Sequence, residues 1–190
     1  HNILKADPAR NIVVAWSVNS TRIADEEEKG APPVEHRIDA AKKVSERGYW
    51  VGFHFDPIIR YPGWEKEYEA VVKKLLEAIP PARIAWISLG SLRFVPLLKM
   101  MIKERFARKK FIYDEFIKGK DGKLMYFRPL RLELYQRMID FIWKWGGREV
   151  RIYFCMENES IWRDSLGWVP SGKEDIERYL SFHLGPSKAG

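Results

Sequence analysis

The sequence contains a single cysteine, Cys155, and no apolar run long enough to cross a membrane. One thiol excludes an intrachain disulfide framework and suits a reducing cytosol, so we expect a cytoplasmic protein that does not enter a membrane. An iron–sulfur cluster needs several thiolates, and no cysteine-rich spacing is present to supply them. Cys155 lies in the apolar run Tyr-Phe-Cys-Met, which predicts a buried and inert thiol.

Several catalytic signatures are also missing. The chain has no phosphate-cradling glycine loop, no GxSxG elbow and no HExxH motif, which excludes the enzyme classes built on them. The first residues, His-Asn-Ile-Leu, contain neither an initiator methionine nor a signal-peptide pattern. We therefore expect His1 to be a cut boundary rather than a natural start.

The composition is that of a folded, basic protein. Hydrophobic residues make up 46% and aromatic residues 14% of the 190 residues, which is enough to bury a sizeable core. We expect residues 1–190 to form a single domain and the protein to be a monomer. The formal net charge of +7 makes a polyanion such as nucleic acid a natural partner, although many basic proteins bind none.

Apolar runs rich in β-branched residues alternate with helical patterns along the chain. Strands are predicted at residues 11–19, 49–57 and 83–90, and helices at residues 34–47, 64–79 and 95–106. Near-continuous apolar strands separated by helices are typical of parallel strands covered by helices. The predicted fold class is therefore α/β, as a (β/α) barrel or a doubly wound sheet.

The alternation breaks at residues 111–127, where two short apolar runs flank Asp121-Gly122 and predict a β-hairpin. The rest of the chain predicts a helix at 130–145, a strand at 150–156, a short helix at 159–166 and a partly helical tail at 168–190. The hairpin separates the first three strand–helix units from the last strand.

Polar side chains end the predicted strands, where barrel enzymes place their chemistry. Ser17 and Asn19 share one face of the first strand, and His54 and Asp56 share one face of the second. The first pair is either a helix cap or loop contact, or a hydrogen-bonding pair for a ligand carboxylate or ribose. The second is either a satisfied pair in which the aspartate fixes the histidine tautomer, or a general acid–base or metal-binding pair.

Basic residues concentrate between residues 99 and 131 and are interleaved with aromatic ones. The basic set is Lys99, Lys103, Arg105, Arg108, Lys109, Lys110, Lys118, Lys120, Lys123, Arg128 and Arg131. Basic side chains position phosphates and aromatic faces stack unpaired bases, so this segment is a candidate nucleic-acid interface. The alternative is a solvated helix face beside an edge hairpin protected by lysines.

These residues are also compatible with two other functions. A metal-dependent barrel hydrolase or endonuclease would use His54, Asp56, Glu115 and Glu157 as ligands, since hard cations favour such oxygen-rich sets. A nucleic-acid-binding module without catalysis would act through the basic hairpin alone.

Four stretches together resemble a known family. They are Trp-Ser-Val-Asn at 16–19, Gly-Tyr-Trp-Val-Gly-Phe-His-Phe-Asp-Pro-Ile-Ile at 48–59, Ile-Ala-Trp-Ile-Ser-Leu-Gly-Ser-Leu-Arg-Phe at 84–94 and Phe-Cys-Met-Glu at 154–157. Their order and spacing resemble the C-terminal half of spore photoproduct lyases, and more closely the DNA repair photolyase branch of the radical S-adenosylmethionine superfamily. The resemblance extends over about residues 11–168.

This resemblance implies the later βα units of a partial TIM-type barrel, with residues 111–127 as an inserted hairpin. It implies a lyase that reverses a pyrimidine photoproduct in DNA by radical hydrogen abstraction, with S-adenosylmethionine and a [4Fe-4S] cluster as cofactors. The family's CxxxCxxC cluster motif lies in an N-terminal half that is absent here. We therefore expect the fragment itself to be inactive.

The resemblance also implies roles for single residues. Ser17 and Asn19 would bind S-adenosylmethionine at its methionyl end. The residues expected to contact substrate or DNA are Arg93, Tyr113, Lys118, Lys120, Lys123, Tyr126 and Arg128. His54 and Asp56, expected to be catalytic, stand where the spore enzymes have less polar residues, so the lesion could differ from the thymine photoproduct.

Overall fold

A computed structural model describes residues 3–8, 11–106 and 110–181. The strands are β1 (Val13–Ser17), β2 (Trp50–Ile58), β3 (Ile84–Ser91), β4 (Arg93–Phe94), β5 (Phe116–Lys118), β6 (Leu124–Tyr126) and β7 (Ile152–Phe154). The α-helices are α1 (Thr21–Glu27), α2 (Val34–Glu46), α3 (Trp64–Ala78), α4 (Pro96–Arg105), α5 (Arg128–Gly146), α6 (Glu159–Leu166) and α7 (Lys173–Ser181). Short 3-10 helices occupy Ile3–Lys5, Pro81–Arg83 and Phe111–Tyr113.

The main sheet contains four parallel strands in the order β1-β2-β3-β7. This confirms the predicted α/β class with a parallel sheet. Strand β7 covers three residues where seven were predicted at 150–156, while β2 extends one residue beyond its predicted end. The predicted tail contains α7, and its residues 182–190 lie outside the described part of the chain, as do Arg108 and Lys109 of the basic set.

One face of the sheet is apolar and covered by helices. Phe53, Phe55 and Ile87 are fully buried there because alternate strand residues point to the same face. Helix α3 contributes Tyr68, Val72 and Leu75 to the same core, at the i, i+4 and i+7 spacing of one helical face. This apolar face fixes the orientation of the sheet, so the alternate residues must line the opposite face.

The opposite face of the sheet, called the inner face here, is more polar and partly exposed. Trp86 lies across Gly52, where an added Cβ atom would come within 3.1 Å of the indole. Ser17 and Asp56 are exposed on this face, whereas Ser88 is buried. The inner face therefore offers polar groups to a ligand at its carboxyl-terminal edge.

A small antiparallel sheet with the order β4-β6-β5 stands beyond that edge. Strands β5 and β6 lie within the segment 111–127 for which a hairpin was predicted, and their turn is closed by a 2.8 Å bond from the Gly119 amide to the Lys123 carbonyl. Phe116 stacks on Tyr126, with ring centroids 4.7 Å apart. The Arg60 amide donates to the Tyr126 hydroxyl at 3.0 Å, which ties the small sheet to the end of β2.

Within the described ranges, none of the helices is long and apolar enough to cross a membrane.

Packing between α3 and the core should be sensitive to truncation. We expect Leu75→Ala, which removes a fully buried side chain, to lower the free energy of unfolding by about 2–5 kcal/mol. The control Lys66→Ala, on the exposed side of the same helix, should change it by less than about 0.5 kcal/mol. Urea denaturation followed by circular dichroism measures both, and equal midpoints for the two variants would contradict this packing.

Candidate active site

A row of side chains crosses the inner face at one level of the sheet. Ser17 on β1 is in register with His54 on β2, His54 with Ser88 on β3, and Ser88 with Tyr153 on β7. Residues paired in register point to the same face of a sheet. We call these four residues the polar row. The hydroxyl and imidazole groups of different strand–helix units are thereby brought together.

His54 is the central member of the polar row. Its Nδ1 atom lies 2.6 Å from the Ser88 Oγ atom. Burial lowers the pKa of the imidazole, and the negative charge of Asp56 opposes that shift. A lowered pKa keeps the ring neutral near pH 7, so that one nitrogen can donate and the other accept.

Asp56 and Cys155 lie beside the polar row on the same face. The Asp56 carboxylate passes so close to Gly90 that an added Cβ atom there would collide with Oδ1. The pKa of the Cys155 thiol is raised to about 11. Burial is the largest cause, and the hydrogen bond and charge of Asp56 act in the same direction. The thiol is therefore protonated near neutral pH, which fits the expected inert cysteine, although it is only partly buried.

A buried carboxylate, Glu157, organises the edge next to the small sheet. One of its oxygens accepts from Arg93 at 2.9 Å and from the Tyr135 hydroxyl at 2.8 Å, and the other accepts from Arg131 at 2.5 Å. Its side chain is 1% exposed, so two guanidinium groups compensate one buried charge. We call Glu157, Arg93, Arg131 and Tyr135 the Glu157 network.

Asn19 is buried just after the end of β1, and all its hydrogen-bonding capacity is used. Its Nδ2 donates to Glu28 and to the Pro57 carbonyl, while its Oδ1 accepts from the Ser20 amide and the Tyr68 hydroxyl. The side chain therefore has no group left for a cofactor, contrary to the expectation. Asn19 instead joins the end of β1 to the end of β2.

Ser17, by contrast, has an exposed side chain at the end of β1. Its carbonyl accepts a 3.0 Å hydrogen bond from Arg37, which is itself paired with Glu28 at 2.6 Å. The backbone of Ser17 is thus held in place while its hydroxyl faces the open side of the sheet.

Some of the residues expected to contact DNA are exposed, and others are already bonded within the protein. Tyr113, Lys118 and Lys120 are exposed, and Lys123 is half-buried. Tyr126 is fully buried with its hydroxyl bonded to Arg60, which contradicts its expected DNA contact. Arg128 forms an ion pair with Asp164 and lies near the Ser160 hydroxyl.

The ligand set of the metal-hydrolase alternative is not brought together. Glu157 is paired with two arginines, and Glu115 is exposed just before β5. Among residues 3–8, 11–106 and 110–181, no group of three or more histidine, cysteine, aspartate or glutamate residues could hold a metal ion. The proposed set of four ligands is therefore wrong for this fold.

Sequence reasoning missed Tyr135 and Tyr153 as site residues, and it placed Arg131 in the basic nucleic-acid segment rather than beside Glu157. Arg131 and Tyr135 are spaced i, i+4 on α5, which places both on one face of that helix. Tyr153 lies two residues before Cys155 on the last strand, and period-two spacing was the signal that could have placed it on the inner face.

Comparison with known proteins decides the family. A family model described as spore photoproduct lyase matches residues 1–129. The chain belongs to the spore photoproduct lyase family. The spore photoproduct lyase of Bacillus subtilis (strain 168) is 32% identical over 102 residues, which cover 53% of this chain and 30% of that protein. That of Clostridium acetobutylicum is 28% identical over 125 residues, which cover 65% of this chain and 37% of that protein.

Solved structures of spore photoproduct lyases share the fold. A mutant with dinucleoside spore photoproduct aligns with a TM-score of 0.66 at 26% identity, covering 75% of this chain and 45% of that one. Another, with bound AdoMet and dinucleoside spore photoproduct, aligns with a TM-score of 0.64 at 24% identity, covering 75% of this chain and 44% of that one. This chain thus spans less than half the length of the relatives that it matches.

The partly buried position of His54 predicts how the stability of the protein changes with pH. Its pKa is lower in the folded protein than its ordinary value of 6.5, so unfolding takes up a proton as the pH falls below about 6.5. Stability from this group is therefore present above pH 6.5 and is lost as the pH falls toward the lowered pKa. We expect His54→Asn to lose less stability than the unsubstituted protein between pH 7.5 and pH 5. Urea midpoints across that range measure this, and parallel pH profiles would contradict it.

The buried charge of Glu157 predicts a large loss of stability when that charge is removed. Glu157→Gln leaves two arginines without their carboxylate, and we expect a loss of about 3–5 kcal/mol in unfolding free energy. The control Asp164→Asn breaks the exposed pair with Arg128 and should cost less than about 1 kcal/mol. Chemical denaturation of both variants tests this, and a Glu157→Gln midpoint equal to that of the control would overturn the role of the network.

Proposed function

We propose that this chain is the substrate-side part of a radical S-adenosylmethionine lyase that reverses a pyrimidine photoproduct in DNA. The polar row supports this most, because it places donors and acceptors at the carboxyl edge of a parallel sheet, where α/β enzymes bind their ligands. Relatives of the chain were solved with dinucleoside spore photoproduct and with AdoMet. We transfer those ligands to this chain as part of the proposal.

The parallel strands would be the later βα units of a partial TIM-type barrel, with β5 and β6 as an inserted hairpin. The inner face would then be the wall of the barrel lumen. This arrangement accounts for a sheet that has one mostly buried apolar face and one partly exposed polar face.

S-adenosylmethionine would supply the hydrogen-abstracting chemistry in the intact enzyme. Ser17 fits the polar methionyl end, because its hydroxyl is exposed while its backbone is held by Arg37. The [4Fe-4S] cluster does not fit this chain, because one cysteine cannot provide its ligands. A separate cluster-binding part is therefore needed, and the 190 residues alone would be inactive.

The lesion would lie against His54, Asp56 and Arg93. A neutral His54 can hydrogen-bond a pyrimidine carbonyl or imide group through its free ring nitrogen, while Ser88 fixes the ring orientation. Arg93 would present its remaining N–H groups to the substrate while Glu157 holds the guanidinium in place. The chain would thereby orient the lesion for the chemistry that the cofactor supplies.

DNA would be held by the exposed part of the basic segment, with Lys118 and Lys120 against phosphates and Tyr113 against a base. A binding module without catalysis would use the same surface. It differs from the lyase because its DNA binding would not need the side chains of the polar row.

Lesion reversal by the full-length enzyme tests the proposal. The protein is reconstituted anaerobically with iron and sulfide, reduced, and given S-adenosylmethionine with ultraviolet-irradiated DNA. We expect 5′-deoxyadenosine formation coupled to loss of a pyrimidine photoproduct. Ser17→Ala should weaken S-adenosylmethionine binding about tenfold or more in calorimetry, as the loss of a hydrogen bond to a charged group implies.

The matched control is Ser181→Ala, which removes an exposed serine hydroxyl on α7 that bonds the Glu177 carbonyl. It should leave both binding and lesion reversal unchanged. Salt-sensitive DNA binding without lesion loss under any of these conditions would support the binding module and reject the lyase.

A further inference from the structure

Helix α4 exposes an unusual amount of apolar surface. None of its ten residues is buried, and the side chains of Leu97 and Met100 are 62% and 59% exposed. The α4 surface is defined by Val95, Leu97, Leu98, Met100, Met101 and Phe106. Within the described residues, nine of the thirteen exposed large apolar side chains lie between residues 95 and 127. Such a concentration indicates a binding surface rather than scattered exposure.

The same segment carries most of the net charge. Residues 95–127 contain nine lysines and arginines against four acidic residues, which is +5 of the net +7 of the chain. Lys99, Lys103 and Arg105 alternate with the apolar side chains of α4 itself. The α4 surface is therefore apolar and basic at once, which restricts the kind of partner that it fits.

The position of α4 connects it to the candidate active site. The helix begins directly after β4, which carries Arg93 of the Glu157 network and pairs with β6. The Lys99 ammonium lies 5.7 Å from the centre of the Phe116 ring on β5. The α4 surface and the hairpin thus belong to one unit beside the carboxyl edge of the parallel sheet.

We propose that the α4 surface binds duplex DNA at a weakened base step. Leu97, Met100 and their neighbours would lie against unstacked bases, and Lys99, Lys103 and Arg105 would contact the adjacent phosphates. Proteins that open or kink a duplex combine basic residues with apolar wedges of this kind. Protein–protein interfaces, in contrast, are depleted of lysine. This inference rests on the proposed function and adds a second DNA-contacting element to the hairpin.

A lesion that must leave the stack leaves a gap behind it, and apolar side chains that fill the gap stabilise the opened state. The α4 surface can do this without moving the parallel sheet, because it projects from the small sheet and not from the core. Its role is to open the duplex, while the polar row receives the base.

The test uses the 190-residue chain and a duplex that carries 2-aminopurine next to a mismatched thymine pair. We expect binding to raise the 2-aminopurine fluorescence, since unstacking relieves its quenching. Leu97→Ser with Met100→Ser should weaken binding about tenfold and abolish most of the fluorescence gain, consistent with the removal of stacking surface. The salt dependence of binding should stay unchanged, because the basic side chains remain in place.

The matched contrast is Lys118→Glu with Lys120→Glu on the hairpin. It should flatten the salt dependence by about 0.9 in slope for each phosphate that the hairpin no longer neutralises, while the bound state keeps its fluorescence gain. Both pairs of residues are exposed, so we expect the variants to fold, and circular dichroism is the measurement that checks this.

Four outcomes would overturn the inference. Unchanged affinity and fluorescence in the serine variant would remove α4 from the DNA interface while leaving the proposed lyase function intact. Sedimentation that shows a dimer dissociating in the serine variant would assign the surface to a second copy, and equally tight binding to anionic phosphatidylserine vesicles would assign it to a membrane. A chain that binds no DNA at all would reject the proposed function together with the inference.

Discussion

The register of the four parallel strands is the constraint on which the site depends. Because β1, β2, β3 and β7 are paired in register at this level, Ser17, His54, Ser88 and Tyr153 lie in one row across the sheet. A shift of one residue in any strand would turn its polar side chain into the apolar core. The buried phenylalanines of the opposite face oppose such a shift, so core packing and site geometry are two results of one alignment.

The Glu157 network connects the parallel sheet to the small sheet. Burial of one carboxylate is tolerated because Arg93, Arg131 and Tyr135 all bond to it. These partners come from β4 and α5, and the amide of Ser91 donates to the Tyr135 hydroxyl at 2.8 Å. The end of β3, the start of the small sheet and the helix after the hairpin are consequently held together at the mouth of the site.

The sequence was sufficient to predict the parallel α/β class and the polar ends of the strands. Strand periodicity alone places His54 and Asp56 on one face, and the structure agrees. Local patterns could not show that Asn19 is saturated by partners up to 49 residues away, nor that Tyr126 turns inward to bond Arg60. Local patterns also could not show that α4 is exposed, because its leucines and methionines also suit a buried helix face.

The most direct test of this account is to observe His54 when substrate binds. The imidazole signals of His54 and His36 are followed by nuclear magnetic resonance as dinucleoside spore photoproduct is added to the 190-residue chain. His36 lies exposed on α2 and serves as the internal control. If the polar row receives the lesion, the His54 signals will shift with saturation while those of His36 will not. Saturable binding that leaves the His54 signals unchanged would contradict the claim that the polar row receives the lesion.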